Sequence, residues 1–420
     1  MMLHEICRVS GYQDDDFIGL KFVDGKPQVT FPRGYRLGCT DAELRSDVLN
    51  LLGAIKKFTT REEGNETPEM IGSLDSSYPL RSYQYIILDF LQNGYYLEKE
   101  TRYVDGTRGR INWKRTIQTK QVQIDNGNAV YLDFAIRVNR TNDNNLITRI
   151  HEYCVYESFV QLGWLYFPSS LLPPKPRIAL NKRIFESVLR KEMHNTFDDK
   201  KKHLFTCMLN VIAGKSETLA DSTVSAFGVD RFEYIWEGMI DYVFGESNRE
   251  DYYPKAHWHI VRQNVLHYES SELRPETIMK YQDNLFILDA KYYKFGITGH
   301  AGHLPNTDSI QKQITYGKYA EQQKFAHPNR IYNAFLMPFQ ADKKSQNPYK
   351  FVSVGTADWY TYKENSPNYQ YVLGILVDTK YLVSNYARLC TSDIHALSAL
   401  IMESLKEFRS ISKGENSTNG

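Results

Sequence analysis

Residues 272–295 read ELRPETIMKYQDNLFILDAKYYKF, and this stretch decides how the rest of the chain is understood. Thr277, Ile278, Met279 and Tyr281 have the β-branched and aromatic character of a strand, and Leu285 to Tyr293 has it again. Gln282, Asp283 and Asn284 between them are turn formers, so the pair reads as a hairpin. Glu276 opens the first strand. Asp289 and Lys291 stand two residues apart in the second and therefore share a face, while Leu288 and Ala290 point the other way. Unpaired buried charge is costly, so a face bearing two carboxylates and a lysine in an apolar ribbon calls for a ligand. A hard, oxygen-seeking cation such as Mg²⁺ suits Glu276, Asp289 and the backbone carbonyl of Ala290, with water in the remaining positions. Lys291 beside it could orient or deprotonate an attacking water, or stabilise charge growing on a phosphate. That is the chemistry of phosphodiester hydrolysis.

Composition narrows the setting. A chain of 420 residues has room for two or three cored domains. Its 51 basic and 50 acidic residues nearly cancel, so any nucleic-acid contact must come from a local patch. Cys7, Cys39, Cys154, Cys207 and Cys390 show no CxxC spacing, which argues for a reducing cytoplasm and against a zinc site. No apolar leader or run of membrane-spanning length occurs, so a soluble cytoplasmic protein with no membrane partner is expected.

Local basic character appears in TRYVDGTRGRINWKRTIQTKQ, residues 101–121. Arg108, Arg110, Lys114, Arg115 and Lys120 lie around Trp113, a set able to neutralise phosphates and stack on a base, and equally able to be a solvated loop around a buried tryptophan. Toward the N-terminus, Thr40-Asp41-Ala42-Glu43 is a capping box for a helix through Phe58, and a second helix is expected from about Pro79 to Asn93, with Gly94 as its cap. Gly214-Lys215-Ser216 is not a phosphate loop: Leu209 stands where the first glycine belongs, and Gly214 reads as a helix cap. His300 and His303 lie on a Gly-rich loop without a nearby third ligand, which favours a mobile substrate-facing segment over a zinc site.

From about residue 228 the pattern runs helix, three strands, helix, strand. DRFEYIWEGMIDYVFG forms the helix, HWHIVRQNVLH supplies the first strand and the hairpin the next two, a helix runs from about Asp308 to Gln323, and RIYNAFLMPF ends the series. Strands around residues 351–359 and 371–377 and helices to about Ile411 follow, and residues 414–420 are expected to be a disordered tail.

On these residues the chain resembles the PD-(D/E)xK nuclease superfamily, with Pro275-Glu276 at the PD position and Asp289-Ala290-Lys291 at the (D/E)xK position. Glu and Asp are exchanged relative to the commoner pattern, which alters reach and keeps charge. RINWKRTI, YIWEGMIDYVFG, LRPETIMKY, FILDAKYY and IQKQITYGKYA further resemble the LlaJI family of restriction endonuclease subunits, which are similar to the McrC nucleases. The resemblance implies a mixed α/β protein: an α+β N-terminal domain over residues 1–200, for DNA or partner binding, and a PD-(D/E)xK core over 201–413. It implies roles for Glu237, as a further acidic group near the metal, and for Gln313, or Gln311 in the alternative register, in ordering the site. It also implies double-stranded DNA as substrate and a GTP-hydrolysing partner of the McrB type, with a homodimer as a further possibility. A stand-alone type II restriction endonuclease, a non-catalytic DNA-binding or assembly subunit on the same fold, and a metal-dependent RNase or repair nuclease remain the alternatives.

Overall fold

The computed structural model describes residues 3–11, 17–23, 26–62, 79–125, 128–141, 145–167, 172–214, 226–260, 265–269, 272–323, 325–341, 350–358, 366–388 and 391–418. The chain is a mixed α/β protein divided into two compact units, one made of residues 1–76 with 224–420 and the other of 77–223.

The first unit opens with β1 (Cys7–Val9), β2 (Ile18–Val23), β3 (Lys26–Phe31) and α1 (Asp41–Glu62). The capping box forms as expected: the amide of Glu43 donates to Thr40 Oγ1 at 3.2 Å, and Glu43 Oε2 accepts from the amides of Cys39 and Thr40 at 2.6 and 3.4 Å. Leu44, Val48, Leu51 and Ile55 give α1 a fully buried stripe.

The second unit runs through α2 (Leu80–Asn93), β4 (Lys99–Gly106), β5 (Arg110–Ile111), α3 (Trp113–Thr119), β6 (Gln123–Asp125), β7 (Asn128–Val130), β8 (Phe134–Thr141), α4 (Leu146–Tyr166), α5 (Lys182–Asn195) and α6 (Asp199–Ala213). Gly94 caps α2 with φ of 73°, a left-handed angle that glycine takes without penalty, and Gly214 caps α6. Strands β4, β8 and β5 make one small sheet and β6 with β7 a separate ribbon. His151 is fully buried on α4 and accepts the amide of Tyr96 on Nδ1 at 2.9 Å.

The chain then re-enters the first unit with β9 (Ala226–Val229), which pairs antiparallel to β2 and completes a four-stranded sheet of order β1-β3-β2-β9. Gly19 and Gly228 face each other in this pair, and a Cβ on either would come within 2.3 Å of the opposite strand's carbonyl oxygen. This pairing is why the compact units differ from the expected division near residue 200. The N-terminal strands belong to the same body as the residues after 224, a closure over some two hundred residues that no local pattern announces.

Next come α7 (Phe232–Phe244), β10 (His257–Ile260), β11 (Val265–Glu269), β12 (Thr277–Tyr281), β13 (Asn284–Ala290), α8 (Phe295–Thr298), α9 (Thr307–Gln322), β14 (Ile331–Phe339), β15 (Phe351–Ala357), β16 (Val372–Asp378), α10 (Thr379–Asn385) and α11 (Thr391–Thr418). Five strands form the main sheet in the order β12-β13-β14-β16-β15. β13, β14 and β16 are parallel, and β12 and β15 are antiparallel edges. Parallel central strands must be covered on both faces, and the near-continuous burial of NLFILDA and IYNAFLMPF fits that demand. One face, with Ile278, Leu285, Ile287 and Ile331, packs on Tyr316 and Ala320 of α9.

Two expectations are corrected here. HWHIVRQNVLH is not one strand of the main sheet: His257–Ile260 and Val265–Glu269 pair with each other as an isolated antiparallel ribbon, with an irregularity between Trp258 and Ile260. The helical backbone of α11 continues to Thr418, into the stretch expected to be a disordered tail, because the helix has already been nucleated against the sheet and propagation is inexpensive.

Candidate active site

The hairpin forms, with Gln282 at φ of 54° in a two-residue turn; Asn284, expected in the turn, is instead the first residue of β13, paired to Tyr281. β13 ends one residue earlier than Lys291, whose amide still donates to the carbonyl of Leu336 on β14 at 2.9 Å. The indole N–H of the fully buried Trp236 donates to the same carbonyl at 3.2 Å. One oxygen thus ties α7, the end of β13 and β14 together.

Thr277 pairs with Leu288, so Glu276 stands opposite Asp289 where the hairpin opens. Glu276 Oε2 accepts the amide N–H of Ala290 at 2.6 Å. The ammonium of Lys291 lies 2.7 Å from Asp289 Oδ2 and 3.4 Å from Glu276 Oε1, bridging both carboxylates. Asp289 is buried, and Glu276 and Lys291 are largely so.

The electrostatics follow from that crowding. Burial, then the neighbouring charge of Asp289, pushes the Glu276 carboxyl up to about 9, against the opposing pull of Lys291. Burial works to lower the Lys291 ammonium, but Asp289 and Glu276 outweigh it and hold the group above its ordinary range. Glu237 on α7 is pushed up to about 7, chiefly by burial, with Lys291 lowering and Asp289 raising it. Its charge therefore interacts with the other three.

The donor set suits a hard divalent cation: two carboxylates on adjacent strands, already held together by a cation of the protein's own. Among the described residues no three His, Cys, Asp or Glu side chains are grouped as metal ligands, so such an ion would use Glu276, Asp289, the carbonyl of Ala290 and water.

Gln313 is placed differently from a residue that reaches the carboxylates. It is fully buried, and its Nε2 donates to the carbonyl of Ile287 at 2.6 Å, while its own backbone carbonyl accepts Asn333 Nδ2 at 3.0 Å. It fixes α9 to β13 two residues before Asp289, and Gln311 is exposed. His303 Nδ1 and Thr298 Oγ1 are 2.8 Å apart, so one of the loop histidines is engaged within its own turn.

Sequence reasoning missed the support beneath Glu276. Arg249 Nη1 donates to the carbonyl of Glu276 at 2.8 Å and is ion-paired with Asp241 of α7, one turn after Glu237. Thr277 Oγ1 also reaches Asp241, at 3.4 Å. The available signal was Asp241 at i+4 from Glu237, facing the same way on the helix.

In the second unit, Arg108, Arg110, Lys114 and Arg115 are all exposed, and none has an ion pair among the described residues. Trp113 is 54% exposed, edge-to-face on Phe134, so it is not the buried tryptophan of the alternative reading. Asn112 caps α3 through the amide of Arg115 at 3.0 Å, and the Arg115 guanidinium lies 4.7 Å over the Tyr103 ring.

The mixed sheet and its buried carboxylate pair define a class, α/β proteins with a candidate metal site, and comparison with known proteins gives the family. The chain matches the LlaJI restriction endonuclease family over residues 17–359 and belongs to it. It is 27% identical over 324 residues to the type II restriction enzyme BsuMI component YdjA of Bacillus subtilis (strain 168), covering 71% of this chain. The match spans 66% of that relative's length. Among solved structures it is similar to a chain in the assembly of Thermococcus gammatolerans McrB AAA+ hexamers with bound McrC, at 14% identity and a TM-score of 0.35, covering 92% of this chain and 83% of that one.

Proposed function

We propose that this chain is the DNA-cleaving component of a bacterial restriction system, a Mg²⁺-dependent endonuclease whose five-stranded sheet is a PD-(D/E)xK core. The observation that carries the reading is the convergence of Glu276, Asp289 and Lys291 at the open end of the β12–β13 hairpin, in a chain of a restriction endonuclease family.

A bound divalent cation would polarise the scissile phosphate and acidify the attacking water. Glu276 and Asp289 would hold that cation. Lys291, kept protonated by its two carboxylate neighbours, is better suited to stabilise negative charge on the phosphate than to remove a proton. Glu237, at about 7, is the acidic group whose proton affinity is best matched to neutral pH. Arg249 acts through Glu276, holding the backbone from which that carboxylate extends. Double-stranded DNA would be held chiefly by the exposed Arg108, Arg110, Lys114 and Arg115, with Trp113 as a stacking surface.

A restriction nuclease needs restraint, and Gly214 of the Gly214-Lys215-Ser216 tripeptide is a helix cap, which does not fit a phosphate loop. The family resemblance supports a McrB-like GTPase as the partner that licenses cutting in the cytoplasm. The test is reconstitution: the chain with Mg²⁺ and site-bearing plasmid, with and without a McrB-like GTPase and GTP. Cleavage only in the complete mixture is the expected result, and specific double-strand cleavage by the chain alone would make it a stand-alone restriction endonuclease.

A further inference from the structure

The face of the main sheet opposite Asp289 carries a second polar cavity. β13 and β14 pair Phe286 with Tyr332 and Asp289 with Phe335, so Tyr332 lies three pairs back along the strands and points to the other face. There it stacks on Phe286, with centroids 5.1 Å apart and planes at 17°. α11 covers this region with Met402, Leu405, Lys406, Arg409 and Ser410, one side of a helix by their spacing, and Asn368 closes the edge. The open cleft holds about 340 Å³, the lower end of the range for small-ligand sites.

The chemistry of the walls is one-sided. Lys406 and Arg409 contribute two positive charges, and among the described residues no carboxylate lines the cavity. Neither cation has an ion pair among the described residues. Arg409 is held in place, its Nη2 donating to the carbonyl of Ser366 at 2.5 Å and its guanidinium 5.2 Å over the Tyr371 ring. Yet its Nε is buried with no hydrogen-bond partner among the described residues, which in a folded protein costs free energy unless something accepts from it. Leu405 and the Tyr332 ring supply an apolar floor and a flat wall beside those donors.

We propose that this cavity binds the phosphate group of a nucleotide, with the sugar or base against Tyr332 and Met402. The phosphate could belong to a free mononucleotide or to a DNA strand, and the two sources differ in what they predict. The site stands apart from Glu276 and Asp289 and does not depend on their role.

The test is calorimetric titration of the full chain, in EDTA to silence cation-dependent binding elsewhere, with deoxyadenosine monophosphate, with deoxyadenosine, and with a short duplex. Saturable binding of the monophosphate with Kd on the order of 1 mM or tighter is expected, and none of the nucleoside. Lys406→Ala, at an exposed position that cannot unfold the protein, and Arg409→Gln should each weaken the monophosphate by about tenfold, the loss of one charge-assisted hydrogen bond. Weakening for the monophosphate alone assigns a free nucleotide, and weakening for the duplex assigns a DNA strand. Binding of monophosphate and duplex unchanged by either substitution, or no saturable binding of either ligand, overturns the proposal.

Discussion

Glu276 Oε2 accepts its hydrogen bond from the amide of Ala290, the residue that separates Asp289 from Lys291. The first half of the motif is thereby held by the backbone of the second half, and the spacing of the two carboxylates is set by main-chain geometry. Glu276→Gln keeps an oxygen for that amide but removes the charge a cation needs. It should fold as the wild type does and lose cleavage by about a thousandfold or more, as loss of a group acting mainly on the transition state does. Circular dichroism together with a plasmid nicking assay checks both halves of that statement.

Lys291→Ala should also abolish cleavage while duplex affinity, measured by anisotropy without cutting, stays within about threefold, since one short-range charge is removed from a site that does not grip the duplex as a whole. A drop in duplex affinity as large as the drop in cleavage would make Lys291 a binding residue.

Acidity offers a separate handle. The Glu276 carboxyl is raised from its ordinary value to about 9, so the folded, cation-free protein holds a proton that the unfolded chain releases near 4.5. The stability this brings is complete below the unfolded value and is lost as pH climbs through the folded one. Without divalent metal, the wild type should therefore lose several °C of Tm relative to Glu276→Gln between about pH 5 and about pH 9. Metal affinity should rise over the same interval, because the cation must displace that proton. Parallel Tm curves for the two proteins would show that Glu276 is not protonated in the folded state.

Arg249→Met removes both the donor to the Glu276 carbonyl and the ion pair with Asp241. Supporting residues of this kind change metal affinity by about 10- to 100-fold, so Mn²⁺ titration should show a loss in that range. Arg249→Lys should recover part of it. An unaltered titration with impaired cleavage would place Arg249 at the substrate instead.

For the basic cluster, replacing Arg108 and Arg110 by alanine should weaken duplex binding and flatten the logarithmic salt dependence by roughly two units, about one for each phosphate no longer neutralised. An unchanged slope would return Arg108, Arg110, Lys114 and Arg115 to the status of solvated surface.

The hairpin, the capping box and the strand over RIYNAFLMPF were legible because each is written within a dozen residues, in apolar and β-branched runs, turn chemistry or cap spacing. The shared face of Asp289 and Lys291 followed from the two-residue period, and their meeting with Glu276 from the hairpin, whose register pairs Thr277 with Leu288. What stayed hidden depends in part on a partner distant in sequence, in the pairing of β2 with β9; the return of Val265–Glu269 onto His257–Ile260 is local, but its stretch reads as a single strand. The bond from Arg249 to Glu276 was hidden for another reason, since the acceptor is a main-chain carbonyl and carries no signature in residue identity. Gln313 was found by resemblance, but its partner, the carbonyl of Ile287, could only be seen in the fold.

The measurement that bears most directly on the central claim is plasmid cleavage by the wild type and by Asp289→Asn, side by side, in the complete mixture of chain, GTPase partner, GTP and Mg²⁺. Linear product is expected from the wild type, none from the Asn variant while GTP hydrolysis continues, and none from the wild type with EDTA. Cleavage by Asp289→Asn at the wild-type rate would contradict that claim and place the cutting site elsewhere.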